Sequence, residues 1–165
     1  MRRRFPLGVL VILVLAVVSL PAASASSSQA RSSGDEDDVQ VIRLTSVTVD
    51  EADVDVGEPG DSLGDYFVFT DDLFRDGEKV GILGVVCTAV RSEPEAFAIH
   101  CVGTAQLPRG QITVQGLVTF SEATEGEPVR VAITGGTGRF RTAHGVLTIR
   151  EVSETEDRLT FRVIR

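Results

Sequence analysis

The sequence lacks tryptophan and asparagine, and its 165 residues include only two histidines and two cysteines. Without asparagine there is no acceptor for an N-linked glycan. His100 and His144 have no zinc-ligand spacing relative to the cysteines. Neither a Ser-His-Asp order nor a nucleophile elbow is present, which argues against a triad hydrolase. We predict no metal site and no cofactor.

No apolar run is long enough to be a permanent membrane anchor. The longest run, 7–20, has 14 residues, whereas a helix needs roughly 20 to span a bilayer. It follows three arginines, at 2–4, and precedes Ala-Ser-Ala at 23–25, which is the order of a secretory signal peptide. We predict that 1–25 is a signal peptide, that cleavage occurs before Ser26, and that the mature protein is secreted and free of the membrane.

Positive charge is scarce in the mature chain. The sequence has 16 basic and 24 acidic residues, and three arginines leave with the signal peptide, so 13 basic residues remain and the net charge is about −11. Such a surface repels nucleic acid phosphates and anionic membranes, so neither is predicted as a partner. Residues 26–38 are serine-rich and then acidic, and we interpret them as a disordered tail before one domain at 39–165.

After residue 39 the chain consists of short β-rich runs separated by glycine, proline or acidic turns. We predict eight strands, at 40–49, 65–70, 79–90, 95–106, 110–120, 129–134, 145–152 and 157–164. Closing eight antiparallel strands into a barrel removes their edges. The predicted fold is therefore an all-β, eight-stranded antiparallel calycin-like β-barrel, with a two-sheet sandwich as the alternative.

Three of the predicted strands have informative side-chain patterns. The fifth alternates, with Ile112, Val114, Val118 and Phe120 on one face and Thr113, Gln115 and Thr119 on the other. The eighth repeats the alternation at Leu159, Phe161 and Val163. The third is apolar on both faces over 81–90, so we expect its outer face to be covered by another subunit.

The two cysteines are predicted to pair across a hairpin. Cys87 and Cys101 lie 14 positions apart in a chain with an export signal. A three-residue loop at 93–95 places Ser92 opposite Ala96 and therefore Cys87 opposite Cys101. A disulfide that closes a loop of this size contributes roughly 3 kcal/mol.

Two other features have both a structural and a functional interpretation. Acidic residues cluster between the first two strands, at Asp50, Glu51, Asp53, Asp55, Glu58 and Asp61. They could hold calcium, but the EF-hand order is absent, and we interpret them as a solvated loop. The glycine turn at 135–138 lacks a Walker lysine, so we assign it a structural role rather than phosphate binding.

The stretch 129–145, VRVAITGGTGRFRTAHG, contains the most distinctive of these motifs. With four shorter motifs it resembles the barrel shared by allene oxide cyclases and dirigent proteins, from Gln40 to the end, in a secreted bacterial member. Those motifs are LGD at 63–65, FT at 69–70, VGI at 80–82 and VQG at 114–116.

The resemblance implies a barrel that binds an unsaturated fatty-acid epoxide, in which an acidic residue, polar groups and a cysteine steer ring closure. Cys87 matches the family cysteine and Asp71 falls where an asparagine is usual, so these two are the catalytic candidates. Most of the plant enzyme's catalytic set is absent, because the first strand has no glutamate and the chain has no asparagine. The resemblance also implies a homotrimer.

The predicted ligand is a hydrophobic small molecule inside the barrel. The residues expected to line its site are Phe67, Phe69, Phe97, Gln115 and Phe120. Three functions stay open: a cyclase or isomerase, a dirigent-like module or carrier without turnover, and a secreted surface-interaction protein whose barrel is filled. A free thiol at Cys87 beside Asp71 or Gln115 would favour the enzyme, and a filled interior would favour the interaction protein.

Overall fold

The computed structural model describes residues 39–57, 59–93 and 96–164. The predicted signal peptide and disordered tail, 1–25 and 26–38, lie outside these residues. Within them, none of the helices is long and apolar enough to cross a membrane. The strands are β1 Gln40–Val54, β2 Tyr66–Arg75, β3 Glu78–Glu93, β4 Ala96–Leu107, β5 Gly110–Phe120, β6 Val129–Gly136, β7 His144–Ser153 and β8 Glu156–Ile164.

The eight strands form one closed antiparallel barrel in chain order. Each strand pairs with the next, and β8 pairs back onto β1. Closure leaves no free edge along the paired segments, which a two-sheet sandwich would have. The predicted eight-stranded antiparallel barrel is therefore confirmed, and the sandwich alternative is wrong.

Side chains point alternately into and out of the barrel along each strand, and the inward ones are mostly apolar and fill its interior. Inward Ile112 on β5 and Phe161 on β8 are both 0% exposed, and Gln115 on the opposite face of β5 is exposed. Burial of this kind is the main stabilising contribution to the fold. A Cβ added at inward Gly116 would overlap with Val131, so this part of the interior has no spare room.

Both β1 and β2 are longer than predicted. Beyond a bulge after Thr48, residues 50–54 of β1 pair with 66–70 of β2 but not with β8, so they extend the sheet of β2 and β3 at one end of the barrel. The predicted acidic loop is therefore wrong for 50–54, whose backbone is paired as a strand. Residues 71–75, which were not assigned to a strand from the sequence, continue β2 beside β3.

Asp65 organises the connection between β1 and β2. Its carboxylate accepts hydrogen bonds from the backbone N–H groups of Val56 at 2.8 Å and Ser62 at 2.7 Å. These two backbone donors hold the pKa of Asp65 below its usual value. Part of the predicted acidic loop is thus an ordered turn around one carboxylate.

The hairpin of β3 and β4 contains the disulfide. Cys87 lies directly opposite Cys101, with their Cα atoms 4.0 Å apart and their sulfurs bonded, as predicted. The predicted register at the turn is wrong, because Ser92 lies opposite Phe97 and not Ala96. A β-bulge adds one residue to β3 between the disulfide and the turn, and this shifts the pairing.

The outer face of β3 and its neighbours is apolar. Ile82 and Val86 on β3 are 39% and 42% exposed, and Val102 on β4 is 46% exposed. Two shallow depressions of about 370 Å³ each meet at Gly84 in this wall. The third strand is thus apolar on both faces, as predicted, and its outer face is accessible in the single chain.

Candidate functional site

The two ends of the barrel differ in the burial of their inward side chains. Where β2–β3, β4–β5 and β6–β7 connect, Leu107 and Phe140 are 7% and 4% exposed, and we call this the closed end. At the opposite or open end Phe120 is 47% exposed. Half-buried inward residues near it are Phe67, Phe69, Phe97, Val118, Val129 and Ile149. A ligand can therefore reach the inner face from the open end.

The glycine turn seals the closed end. Phe140, in the short 3₁₀ turn that follows the glycines, packs into the apolar core. The Arg139 N–H donates to the Arg109 carbonyl, and the Thr137 N–H donates to the Gln111 carbonyl, both at 2.9 Å. These bonds hold the turn against the neighbouring β4–β5 hairpin, in keeping with the structural role assigned to it.

A buried carboxylate lies on the inner face, between the apolar core and the open end. Asp71 is 3% exposed and accepts a 3.0 Å hydrogen bond from the Thr48 hydroxyl. Burial raises the pKa of Asp71, while hydrogen bonds from Thr48 and Ser46 act in the opposite direction. A carboxyl group with a raised pKa can hold a proton nearer neutral pH and exchange it with a bound molecule.

A second carboxylate, which the sequence analysis missed, lies across β1 from the first. Asp157 of β8 is opposite Ser46 on one side and Glu151 on the other. Burial raises the pKa of Asp157, and the charges of Asp71 and Glu151 raise it further. Asp157 lies two positions before Leu159, so extending the alternation of the eighth strand by one step would have placed it on the inward face.

Among the described residues, the ionisable side chains that face inward at the open end are all acidic. They are Asp71, Glu151 and Asp157, and Glu51 and Asp53 lie on the same face of the extended part of β1. Among the described residues, no group of three or more histidine, cysteine or acidic side chains is arranged to hold a metal ion. The open end therefore combines aromatic walls with a negative potential.

Four of the five predicted ligand-binding residues face inward at the open end: Phe67, Phe69, Phe97 and Phe120. The Phe97 and Phe120 rings meet at the rim, with centroids 6.0 Å apart. Gln115 does not line the interior, and that prediction is wrong. It lies on the outer face of β5, where its Nε2 is 3.0 Å from Nε2 of His100.

Cys87 does not offer a catalytic thiol. Its sulfur is bonded to that of Cys101, and neither cysteine is free. A disulfide sulfur is not an ionisable thiol, so the assignment of Cys87 to catalysis is wrong for the oxidised chain. Asp71 remains a predicted catalytic residue, and it has the inward, buried position that this role needs.

The strand order and the accessible, aromatic end define the class as a closed eight-stranded antiparallel β-barrel that is open at one end. Residues 42–164 match the allene oxide cyclase barrel like domain. The chain belongs to this family, and the predicted resemblance is confirmed. A search of the curated proteins finds no match.

Three solved structures illustrate the relationship. Pyocyanin demethylase is 30% identical, with a TM-score of 0.66, covering 74% of this chain and 99% of its own. A Diels–Alderase from Streptomyces koyangensis is 19% identical, with a TM-score of 0.62, covering 76% of this chain and 63% of its own. A pterocarpan synthase dirigent protein is 19% identical, with a TM-score of 0.55, covering 76% of this chain and 92% of its own. The last two show the fold alone.

Proposed function

We propose that the open end binds an apolar small molecule and that Asp71 and Asp157 transfer protons to and from it in an isomerisation or cyclisation. The observation that carries this proposal is the pair of inward carboxylates at the inner edge of an otherwise apolar, aromatic site. Proton transfer by positioned carboxyl groups contributes typically 10²–10⁴-fold to a rate. An isomerisation of this kind needs no oxidant or reductant.

The surroundings of the two carboxyl groups suggest different roles. Asp157 is the proton donor, because burial and two neighbouring charges all favour its neutral form. Burial raises the pKa of Asp71 as well, but the Thr48 hydroxyl donates a 3.0 Å hydrogen bond that stabilises its anion, so we assign Asp71 as the acceptor. The proton that leaves Asp157 goes to one atom of the ligand, and Asp71 takes a proton from another. Proton exchange with solvent then returns both groups to their starting protonation states.

The charge of the site limits the ligand class. Because the inward ionisable groups at the open end are acidic, a ligand with a carboxylate is disfavoured there. We infer a neutral or cationic molecule with a flat apolar surface that fits against Phe97 and Phe120. The names of the similar structures, a demethylase, a Diels–Alderase and a pterocarpan synthase dirigent protein, support a small organic molecule.

A carrier or interaction protein without turnover is the second candidate. It is favoured by the filled interior around Ile112, Gly116 and Phe161, which restricts a ligand to the open end. The disulfide at Cys87 also removes the predicted thiol. In this case the carboxylates would hold a ligand by hydrogen bonds without moving a proton.

The deciding experiment follows proton exchange. Small molecules that co-purify with the protein secreted by its own host are identified by mass spectrometry, then incubated with the protein in D₂O. We expect the wild type to catalyse deuterium incorporation into the ligand, and Asp71→Asn and Asp157→Asn each to slow it about 100-fold or more. Asp72→Asn is the matched control, because Asp72 lies next on β2 but faces outward and pairs with Lys79.

Two outcomes count against the enzyme. Exchange that survives in both carboxylate variants would remove Asp71 and Asp157 from the mechanism. Binding without exchange in the wild type would favour the carrier. An equal loss in Asp72→Asn would mean that the effect is not specific to the inner face.

We also propose that the protein is exported and self-associates as a trimer. Export through a cleaved signal peptide rests on the signal-like order of 1–25, and secreted protein that still begins at Met1 would contradict it. Self-association rests on the apolar outer wall around Val86 and Val102. The wild type should sediment as a trimer, and Val86→Glu should lower its sedimentation coefficient towards that of a monomer. A wild type that sediments as a monomer would contradict the proposal.

A further inference from the structure

The outer wall of β1, β6, β7 and β8 carries five exposed arginines that neither the core nor the proposed site uses. They are Arg43, Arg130, Arg150, Arg158 and Arg162. Within 39–57, 59–93 and 96–164, none of them forms a salt bridge. Because the whole chain has a net charge of −8, this wall is a local reversal of charge, and we call it the arginine wall.

Strand pairing brings these arginines into one patch. Arg158 lies directly opposite Arg150. Arg43 is one strand away from Arg158 and two residues along, and Arg130 has the same relation to Arg150. With about 4.8 Å between strands and about 3.3 Å per residue, such neighbours are roughly 8 Å apart at Cα. One extended anion can therefore contact several guanidinium groups.

Among the described residues, one acidic side chain borders the patch: Glu156 lies two residues before Arg158 on the outer face of β8 and forms no salt bridge with these arginines. Between the arginines, the outward positions of the four strands are occupied by Val41, Thr45, Ala132, Val146, Thr148 and Thr160. The nearby carboxylates Glu151 and Asp157 are at inward positions. The threonines add hydroxyl donors, which phosphate oxygens accept.

The pairing of Arg150 with Arg158 is an independent indication of a ligand. Like charges directly opposite each other on neighbouring strands are destabilising. The nearest outward carboxylate, Glu156, lies two residues from Arg158 and forms no salt bridge with either arginine, so the repulsion between the two guanidinium groups is not neutralised by an ion pair. A bound anion would relieve it, since arginine forms paired hydrogen bonds with phosphate oxygens.

We propose that the arginine wall binds a linear phosphate polymer that carries no bases. A flexible chain can follow the convex wall of a barrel and contact all five arginines, whereas a flat bilayer touches a convex wall along one strip only. The wall has no aromatic platform on which nucleic acid bases could stack, since no outward residue of its four strands is phenylalanine, tyrosine or tryptophan. This inference goes beyond the proposed function and does not depend on it.

The test measures binding of inorganic polyphosphate to the full chain across a salt series. The test variant is Arg43→Gln/Arg150→Gln/Arg158→Gln. The matched control is Arg109→Gln/Arg139→Gln/Arg141→Gln, which removes the same charge from three exposed arginines at the closed end. We expect the test variant to bind roughly tenfold more weakly at low salt, with a salt slope smaller by about two units, because each phosphate contact contributes about 0.7. The control should stay within about twofold of the wild type.

Three outcomes would overturn the proposal: no polyphosphate binding by the wild type at low salt, equal weakening in both triple variants, or equal binding to phosphatidylglycerol vesicles at the same phosphate concentration. A stability measurement distinguishes lost binding from lost folding. In the absence of polymer, Arg158→Gln should unfold at the same urea concentration as the wild type or a higher one, because it relieves the repulsion from Arg150.

Discussion

Phe140 and Phe120 offer a direct test of the difference between the two ends of the barrel. Phe140 is 4% exposed at the closed end, and Phe120 is 47% exposed at the open end. A phenylalanine buries about 150–250 Å² when fully enclosed, which corresponds to about 4–6 kcal/mol at about 25 cal/mol per Å². Phe140→Ala should therefore cost about 4 kcal/mol, within the usual range for this substitution.

Phe120→Ala removes the same atoms from a side chain that is only about half enclosed, so its expected cost is about 2 kcal/mol. Urea denaturation followed by circular dichroism measures both losses. If the free energy of unfolding falls by about 2 kcal/mol per M urea, the urea midpoints of Phe140→Ala and Phe120→Ala should differ by about 1 M. Equal losses would refute the assignment of a sealed end and an accessible end. If the proposed function is right, only Phe120→Ala should weaken ligand binding in a variant that remains folded.

Four further predictions concern the walls and the carboxylates. Replacing Cys87 and Cys101 by alanine should cost about 3 kcal/mol in the same assay, and a loss below about 1 kcal/mol would contradict this. Gly116→Ala should cost about 1–3 kcal/mol by overpacking, and a neutral result would mean that room exists there. The pKa of Asp157 is raised in the folded protein, so its ionisation lowers the stability of the fold as the pH rises above about 3.9, the ordinary pKa of aspartate. Asp157→Asn should therefore be more stable than the wild type near pH 7 but not near pH 3. Asp65 has a lowered pKa, so Asp65→Asn should be less stable near pH 7, with the gap closing as the pH falls through the folded-state pKa.

Alternation and strand count could be predicted from the sequence because each depends on local pattern. The inward face of β5 followed from Ile112 and Val114, and the same pattern placed Gln115 outside. Gln115 was nevertheless predicted to line the site together with Phe120, although the alternation of β5 places the two on opposite faces. The strand period is the stronger guide to a side chain's direction, because it follows from backbone geometry.

What could not be predicted depends on contacts distant in sequence. The bulge in β3 shifts the register of the β3–β4 hairpin, and no single residue type in β3 indicates from the sequence that a bulge forms there. Asp157 stands at the start of a strand, where a carboxylate is also typical of a turn. Only the pairing of β8 with β1 brings it near Asp71, whose own pKa is raised by burial and lowered in part by hydroxyls from β1. The site is therefore a product of barrel closure.

The register of β8 determines both proposed sites at once. Asp157 faces the interior and Arg158, the next residue, faces outward. A slip of one residue would exchange the two faces, placing an arginine inside the barrel and a carboxylate on the arginine wall. The register is held by inward Phe161 and Val163, both 0% exposed, so a slip would also expose the largest apolar side chains of the strand. Point substitutions should therefore separate proton transfer from polymer binding, whereas a polar substitution at Phe161 should abolish both together with the fold.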